Sequence, residues 1–428
     1  MQTKEDYTMQ LQTPYGQKSG SQSLQPLINT LLLNASFIDN IGLMHGKMGI
    51  SVYFFHLARS TRNKVYDEYA GELIDEIYEE ITINTPVNFE NGLAGIGWGI
   101  EYLVQNGFIE ADTDEVLEDF DDKIYKELIH NIPKETGLLT GILGFGAYFL
   151  KRLQNMATNR EEISKLTIKQ SIEYIIKELN KKAGDLDEII KEPTWVKPSD
   201  FSKGKKLLVN DSFKKFSPGS SDEQKATTSE SQNKIVSTFD LVWDYPLILW
   251  FLAELYEENI FSLEVEKIIQ RIIGKLSQEN NLPKLHSNRL LLALALTRLG
   301  KITNAHQITH EHSGNRALNQ SGIESLIGNF LEKINRNTID SELPPGDATI
   351  RHGTSGIAWI YNQLHRLEGG SHFKNEMEYW NNKLLLHKDK DSLLTRHFNE
   401  GDNIFGILEG LAGMMLLTKS LKKEALKQ

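Results

Sequence analysis

Two glycines three residues apart, trailed by an apolar residue, recur five times along this chain, and each copy opens a stretch of helical apolar character. The copies read His45-Gly46-Lys47-Met48-Gly49-Ile50, Asn91-Gly92-Leu93-Ala94-Gly95-Ile96, Thr140-Gly141-Ile142-Leu143-Gly144-Phe145, His352-Gly353-Thr354-Ser355-Gly356-Ile357 and Glu409-Gly410-Leu411-Ala412-Gly413-Met414. The steps from Gly46 to Gly92 and from Gly92 to Gly141 are 46 and 49 residues, enough for two helices and two connections. From Gly141 to Gly353 the interval is 212 residues, and from Gly353 to Gly410 it is 57. The long interval has room for two more helical hairpins and an insertion. Trp243-Asp244-Tyr245-Pro246-Leu247 and His286-Ser287-Asn288-Arg289-Leu290 each open an apolar stretch there, as copies whose glycines are replaced, so the hairpins number seven.

Between the motifs run helices with one greasy stripe, such as Ala70, Leu73, Ile74, Ile77 and Ile81, or Val265, Ile268, Ile269, Ile272 and Leu276. They alternate with helices that are apolar nearly all round, including 96–104, 145–153 and 357–364. One-sided helices need a wet face, and all-round apolar helices need burial. Glycine at each inner helix start lets neighbouring backbones approach closely, so several such starts imply a crowded meeting point. The pattern predicts an all-α fold, an α/α toroid of about seven hairpins with inner and outer helix rings, rather than an open solenoid whose ends would need polar caps. Strand-like runs such as 206–209 are too few to build a sheet.

Residues 24–428 read as one toroid domain, preceded by a loose segment over 1–23 and interrupted by a flexible insertion at 202–234. That insertion holds nine serines and threonines, seven lysines and four acids, with little apolar surface to bury. A formal net charge of −11 speaks against sequence-independent nucleic-acid binding. With no cysteine, disulfides, thiolate metal sites and a cysteine nucleophile are excluded. The first twenty residues are polar with no signal-peptide core, and no run approaches membrane-spanning length, so a cytoplasmic location is expected.

The residues just before each first glycine should form a ring at one end of the toroid: His45, Asn91, Thr140, Trp243, Leu285 or His286, His352 and Glu409. They read either as the lining of a binding cavity or as caps of helix starts. Asp240 and Asp244 are four apart, which would set two carboxylates on one helical face. Arg351 reads as an anion-binding fork or as an ion-pair partner of Asp347 or Glu409. His306, His310 and His312 have metal-like spacing but fall after the fifth inner helix, away from the mouth.

The repeated glycine motif, the seven hairpins and Arg351-His352-Gly353-Thr354-Ser355-Gly356 together resemble the lanthionine synthetase C-like family. The resemblance implies an α/α toroid and a place in modified-peptide biosynthesis, with a precursor peptide or a dehydratase as partner. Its bacterial cyclases hold zinc with two cysteines and one histidine, and the metal activates a peptide thiol that adds to a dehydrated serine or threonine. Here His352 matches the histidine ligand, while Arg351 stands where one cysteine is expected and Leu285 near the other. Trp243 stands at the family's catalytic histidine. The resemblance carries His352 over as the catalytic residue, and the reading of the ring and its neighbours gives His45, Asn91, Trp243, Asp244, His286, Arg351 and Glu409 as ligand-binding positions; the resemblance implies zinc, but with its cysteine positions replaced no cofactor is expected. Two other readings stay open: a non-catalytic toroid that binds a peptide or partner, and a glycoside-processing α/α-barrel enzyme.

Overall fold

The computed structural model describes residues 25–155, 162–182, 191–197, 234–278, 282–309, 320–386 and 405–417. The segment 1–23 and nearly all of the 202–234 insertion lie outside the described residues, as do His310 and His312. The described residues open with α1 (Gln25–Asn34) and a 3₁₀ turn, Ala35–Phe37. Seven inner helices follow, each starting at one of the motifs: α2 (Lys47–Thr61), α4 (Leu93–Gln105), α7 (Ile142–Asn155), α9 (Asp244–Glu257), α11 (His286–Thr309), α14 (Thr354–Glu368) and a last stretch over 411–417. Outer helices alternate with them: α3 (Lys64–Glu80), α6 (Glu118–His130, after the short α5, Thr113–Val116), α8 (Glu162–Lys182), α10 (Ser262–Leu276), α12 (Gln320–Glu332, followed by α13, Arg336–Glu342) and α15 (Ser371–Leu386). The architecture is the all-α toroid that the repeat predicts. One small addition is an antiparallel ribbon, β1 (Thr194–Lys197) against β2 (Lys234–Ser237), which closes the base of the long insertion.

Burial follows the two kinds of apolar pattern. In α2 every residue from Lys47 to Phe55 is buried, whereas α3 buries only Ala70, Leu73 and Ile77. The stripe of α10 is buried in full, Val265, Ile268, Ile269, Ile272 and Leu276. One continuous hydrophobic cluster runs from Leu27 to Met415, so both ends of the described chain share a core.

The glycine motif is explained by how each inner helix begins. Gly46, Gly92 and Gly353 are N-caps in nearly the same extended conformation, and none offers a side chain to the free N–H groups of the first turn. Backbone carbonyls seven residues back supply the acceptors: Lys47 N to Asn40 O at 2.8 Å, Leu93 N to Pro86 O at 2.8 Å, Ile142 N to Glu135 O at 3.2 Å and Thr354 N to Asp347 O at 3.0 Å. For the loop to reach that position, it must lie on the helix. A Cβ on the second glycine would meet the carbonyl oxygen six residues earlier, at 2.2 Å for Gly49, 2.0 Å for Gly95, 2.3 Å for Gly144, 2.1 Å for Gly356 and 1.8 Å for Gly413. The ring residues His45, Asn91 and His352 therefore sit one place before the cap and do not cap these helices themselves, while Trp243 is the N-cap of its own helix without a side-chain cap bond.

Hydrogen bonds between these loops join neighbouring hairpins into a belt. Ile407 and Leu408 donate to Met44 O, Met44 N to Glu90 O, and Phe89 and Glu90 to Leu139 O. On the other side Leu241 N donates to Arg351 O, and Arg351 N to Leu408 O. Hairpin five lacks the glycines and begins differently. Glu342 accepts from His286 N and Ser287 N, both at 2.8 Å, and Glu192 accepts from Lys284 N at 2.9 Å and Leu285 N at 3.1 Å. Two carboxylates replace the loop carbonyls as helix-start acceptors.

Replacing Gly95 with alanine is expected to lower stability by about 2–3 kcal/mol, because backbone must move to admit the methyl group. Gly71 lies in α3 with open space around its Cα, and Gly71→Ala is expected to add about 0.5–1 kcal/mol through helix propensity. Urea denaturation midpoints of the two variants check the opposite signs.

Candidate functional site

Hairpin four approaches the belt through a tight turn that is held by its own aspartate. Asp240 O accepts from Trp243 N at 3.1 Å and Asp240 Oδ1 from Val242 N at 3.1 Å, after which α9 begins at Asp244. Asp240 thus precedes the helix, and the expectation that it shares a helical face with Asp244 is corrected: the turn separates them. Trp243 is buried, and its Nε1 donates to Lys191 O at 3.0 Å.

Beside this turn lies a cavity of about 350 Å³, lined by Glu135, Gly137, Thr140, Asp240, Trp243, Asp244 and Arg351 among others. Arg351 crosses to hairpin four, pairing Nε with Asp240 Oδ1 and Nη2 with Asp240 Oδ2, both at 3.0 Å, and it reaches hairpin seven through Nη1 to Glu409 Oε1 at 2.7 Å. Burial opposes its charge, but the two carboxylates outweigh it and hold the guanidinium more firmly protonated than usual. Of the two partners expected for Arg351, Glu409 is present, while Asp347 instead accepts from Thr349 N.

Asp244 is the uncommitted acid of the cavity. No hydrogen-bond donor reaches its carboxylate among the described residues. Burial, then the nearby charges of Asp240 and Glu135, push its pKa up to about 6, with Lys182 pulling the other way. Burial in turn lowers the pKa of Lys182, whose Nζ donates to Lys134 O at 2.6 Å. Glu135 accepts from Thr140 Oγ1 at 2.5 Å. A half-buried carboxyl that changes protonation near neutral pH is suited to exchanging a proton with a bound molecule.

His352 lies next along the chain from Arg351, and its ring is oriented by Nδ1 donating to Phe239 O at 2.8 Å. A carbonyl can only accept, so Nδ1 carries the proton and a neutral ring presents Nε2 as a lone pair. His352 adjoins the cavity only through its chain neighbour Arg351, Glu409 only through its ion pair with Arg351, and the remaining expected positions lie apart from the lining. His45 is buried, with Nε2 on Glu90 Oε1 at 3.0 Å. Asn91 Oδ1 accepts from Asn40 Nδ2 at 2.8 Å. His286 faces α13, where its Nδ1 accepts from Asn335 N at 3.1 Å. His306 falls within the last turns of α11 rather than after it. The charged cavity residues that the sequence did not single out are Glu135 and Lys191. Glu135 had a readable signal, since it stands six residues before Gly141, the register of Asn40, Pro86 and Asp347.

A cysteine-and-histidine zinc centre does not fit these residues. Arg351 fills the space beside His352 with a cation locked to two carboxylates. Among the described residues no group of three histidine, cysteine, aspartate or glutamate side chains is placed to hold a metal ion.

The sequence profile described as "Lanthionine synthetase C-like protein" matches residues 38–207 and 292–427. The chain belongs to the lanthionine synthetase C-like family. The interval between the matched segments contains the fourth and fifth motifs, the two copies whose glycines are replaced. Among solved structures the chain is similar to nisin cyclase, with 14% identity, 94% of each chain covered and a TM-score of 0.56, a likeness of fold. No curated protein matches the chain. No helix among the described residues is long and apolar enough to cross a membrane.

Because the Asp244 carboxyl has a higher pKa folded than unfolded, its proton is bound more tightly in the native state. Stability from this group is therefore present below pH 4 and is lost as pH rises towards about 6. Asp244→Asn removes that loss. At pH 7.5 the variant is expected to be more stable than the wild type by about 1–2 kcal/mol, and at pH 4 the difference should vanish. Thermal melts at the two pH values read it.

Proposed function

We propose that this toroid assists thioether ring formation in modified-peptide biosynthesis, without zinc, by binding a dehydrated peptide in the cavity between hairpins three, four and six. The observation that carries the reading is Asp244, an unpartnered carboxyl with a pKa of about 6 facing a cavity at the fourth motif. It stands one residue from the position where the family's catalytic histidine is expected. In the proposed step the peptide thiol gives its proton to His352 Nε2, and sulfur bonds to the β-carbon of a dehydroalanine or dehydrobutyrine. The double-bond electron pair moves into the enolate, and the Asp244 carboxyl donates its proton to the α-carbon. Asp244 is reprotonated from solvent, and the imidazolium returns its proton there.

Family membership supports the peptide substrate over a sugar. Glycoside cleavage would draw on the same carboxylates, but Asp240 is committed to Arg351. The proposal places the protein in the cytoplasm, alongside the dehydratase that supplies its peptide.

Incubation with a dehydrated precursor peptide, followed by alkylation and mass spectrometry, is expected to show free thiols disappearing. Asp244→Asn and His352→Ala should each slow the loss by about 10²-fold or more. Thiols that persist while the peptide binds would instead make the protein a non-catalytic peptide holder. Absence of both binding and thiol loss would remove the peptide reading altogether.

A further inference from the structure

Arg351 makes more connections across the ring than its ion pairs alone suggest. Its guanidinium grips Asp240 of hairpin four with two donors and Glu409 of hairpin seven with a third. Its backbone N donates to Leu408 O at 3.1 Å, and its backbone O accepts from Leu241 N at 2.9 Å. One residue thus ties the starts of hairpins four, six and seven by both main chain and side chain. The carboxylate it grips is the one whose Oδ1 and carbonyl O shape the turn leading into Asp244. Next to Arg351 is His352, the one position matching a family ligand, yet among the described residues the surrounding side chains do not form a metal donor set.

We infer that the Arg351 guanidinium is a built-in cation that does the cross-linking work of a metal centre in this chain, and that it is the positioning residue for Asp244, acting through Asp240. A fixed fork can satisfy two carboxylates from separate hairpins at once, as a dication would, and it does so without cysteine. A divalent ion brought to this place would meet the guanidinium charge first. The inference rests on the geometry of the belt, and only the role given to Asp244 rests on the proposed function.

Full-length protein exposed to excess zinc and then desalted should retain no stoichiometric metal, and chelation by EDTA should leave its Tm unchanged. Arg351→Ala is expected to lower Tm by about 3–6 °C, from loss of a largely buried charge pair. Millimolar methylguanidinium should recover at least half of that loss in Arg351→Ala while leaving the wild type unmoved. Arg351→Lys, which keeps the charge but not the fork, should fall between the two. Stoichiometric zinc on the wild-type protein, or an Arg351→Ala variant as stable as wild type, would overturn the inference. So would a destabilised variant that neither methylguanidinium nor lysine restores in part. These readouts need no peptide, so their failure is distinct from failure of the thiol assay. Where thiol loss is observed, methylguanidinium should also restore its rate in Arg351→Ala, and restored Tm without restored rate would refute positioning through Asp240.

Discussion

The close approach of a loop carbonyl to the first turn of an inner helix is the contact on which the rest of this molecule depends. A helix start has N–H groups with no partner of their own, and seven starts gathered at one end of a toroid would bury many of them. Folding the preceding loop back onto the helix supplies acceptors without recruiting a side chain. The cost is steric, since the carbonyl lies where a Cβ would be. Glycine three residues after glycine is the sequence consequence of that geometry, and its repetition is what makes the ring regular.

Loss of the glycines in hairpins four and five has opposite effects on the two. Hairpin four keeps its place in the belt, because an aspartate shapes its turn and an arginine from hairpin six holds that aspartate. Hairpin five is capped by carboxylates from Glu192 and Glu342, and joins its neighbour through Asn288 Nδ2 to Thr238 O at 3.1 Å. The belt therefore passes from hairpin four to hairpin six by way of Arg351. The candidate site lies at this altered part of the ring, where side chains have taken over from backbone. A second buried cation works elsewhere on the same principle: Arg152 joins Glu101 of α4, Asp114 of α5 and Asp121 of α6 from its place on α7. There one guanidinium serves three carboxylates from three helices.

Much of the fold was legible from spacing. The stripe of α10 appears in the structure residue for residue, and the stripe of α3 is buried at Ala70, Leu73 and Ile77, with Ile74 and Ile81 half-covered. The candidate site was legible only in part. Trp243, Asp244 and Arg351 meet at one cavity, and Glu409 joins them through Arg351. His45, Asn91 and His286 do not, because equivalent positions in a repeat share a level of the ring without sharing a neighbour. His286 illustrates the reason: once its helix start is capped by Glu342, its imidazole turns to the amide of Asn335 in the next outer layer.

By itself the sequence determined the number of hairpins, which helices are inner and which outer, and the absence of sulfur ligands. These follow from local periodicity and composition, which need no knowledge of what lies across the ring. Only the tertiary structure decided that Arg351 finds Asp240, 111 positions away, that it pairs with Glu409 and not Asp347, and that Asp244 is left without a partner among like charges. Electrostatic interaction depends on distance and burial between loops remote in the chain, and neither quantity is written in the spacing of residues along one strand of polypeptide.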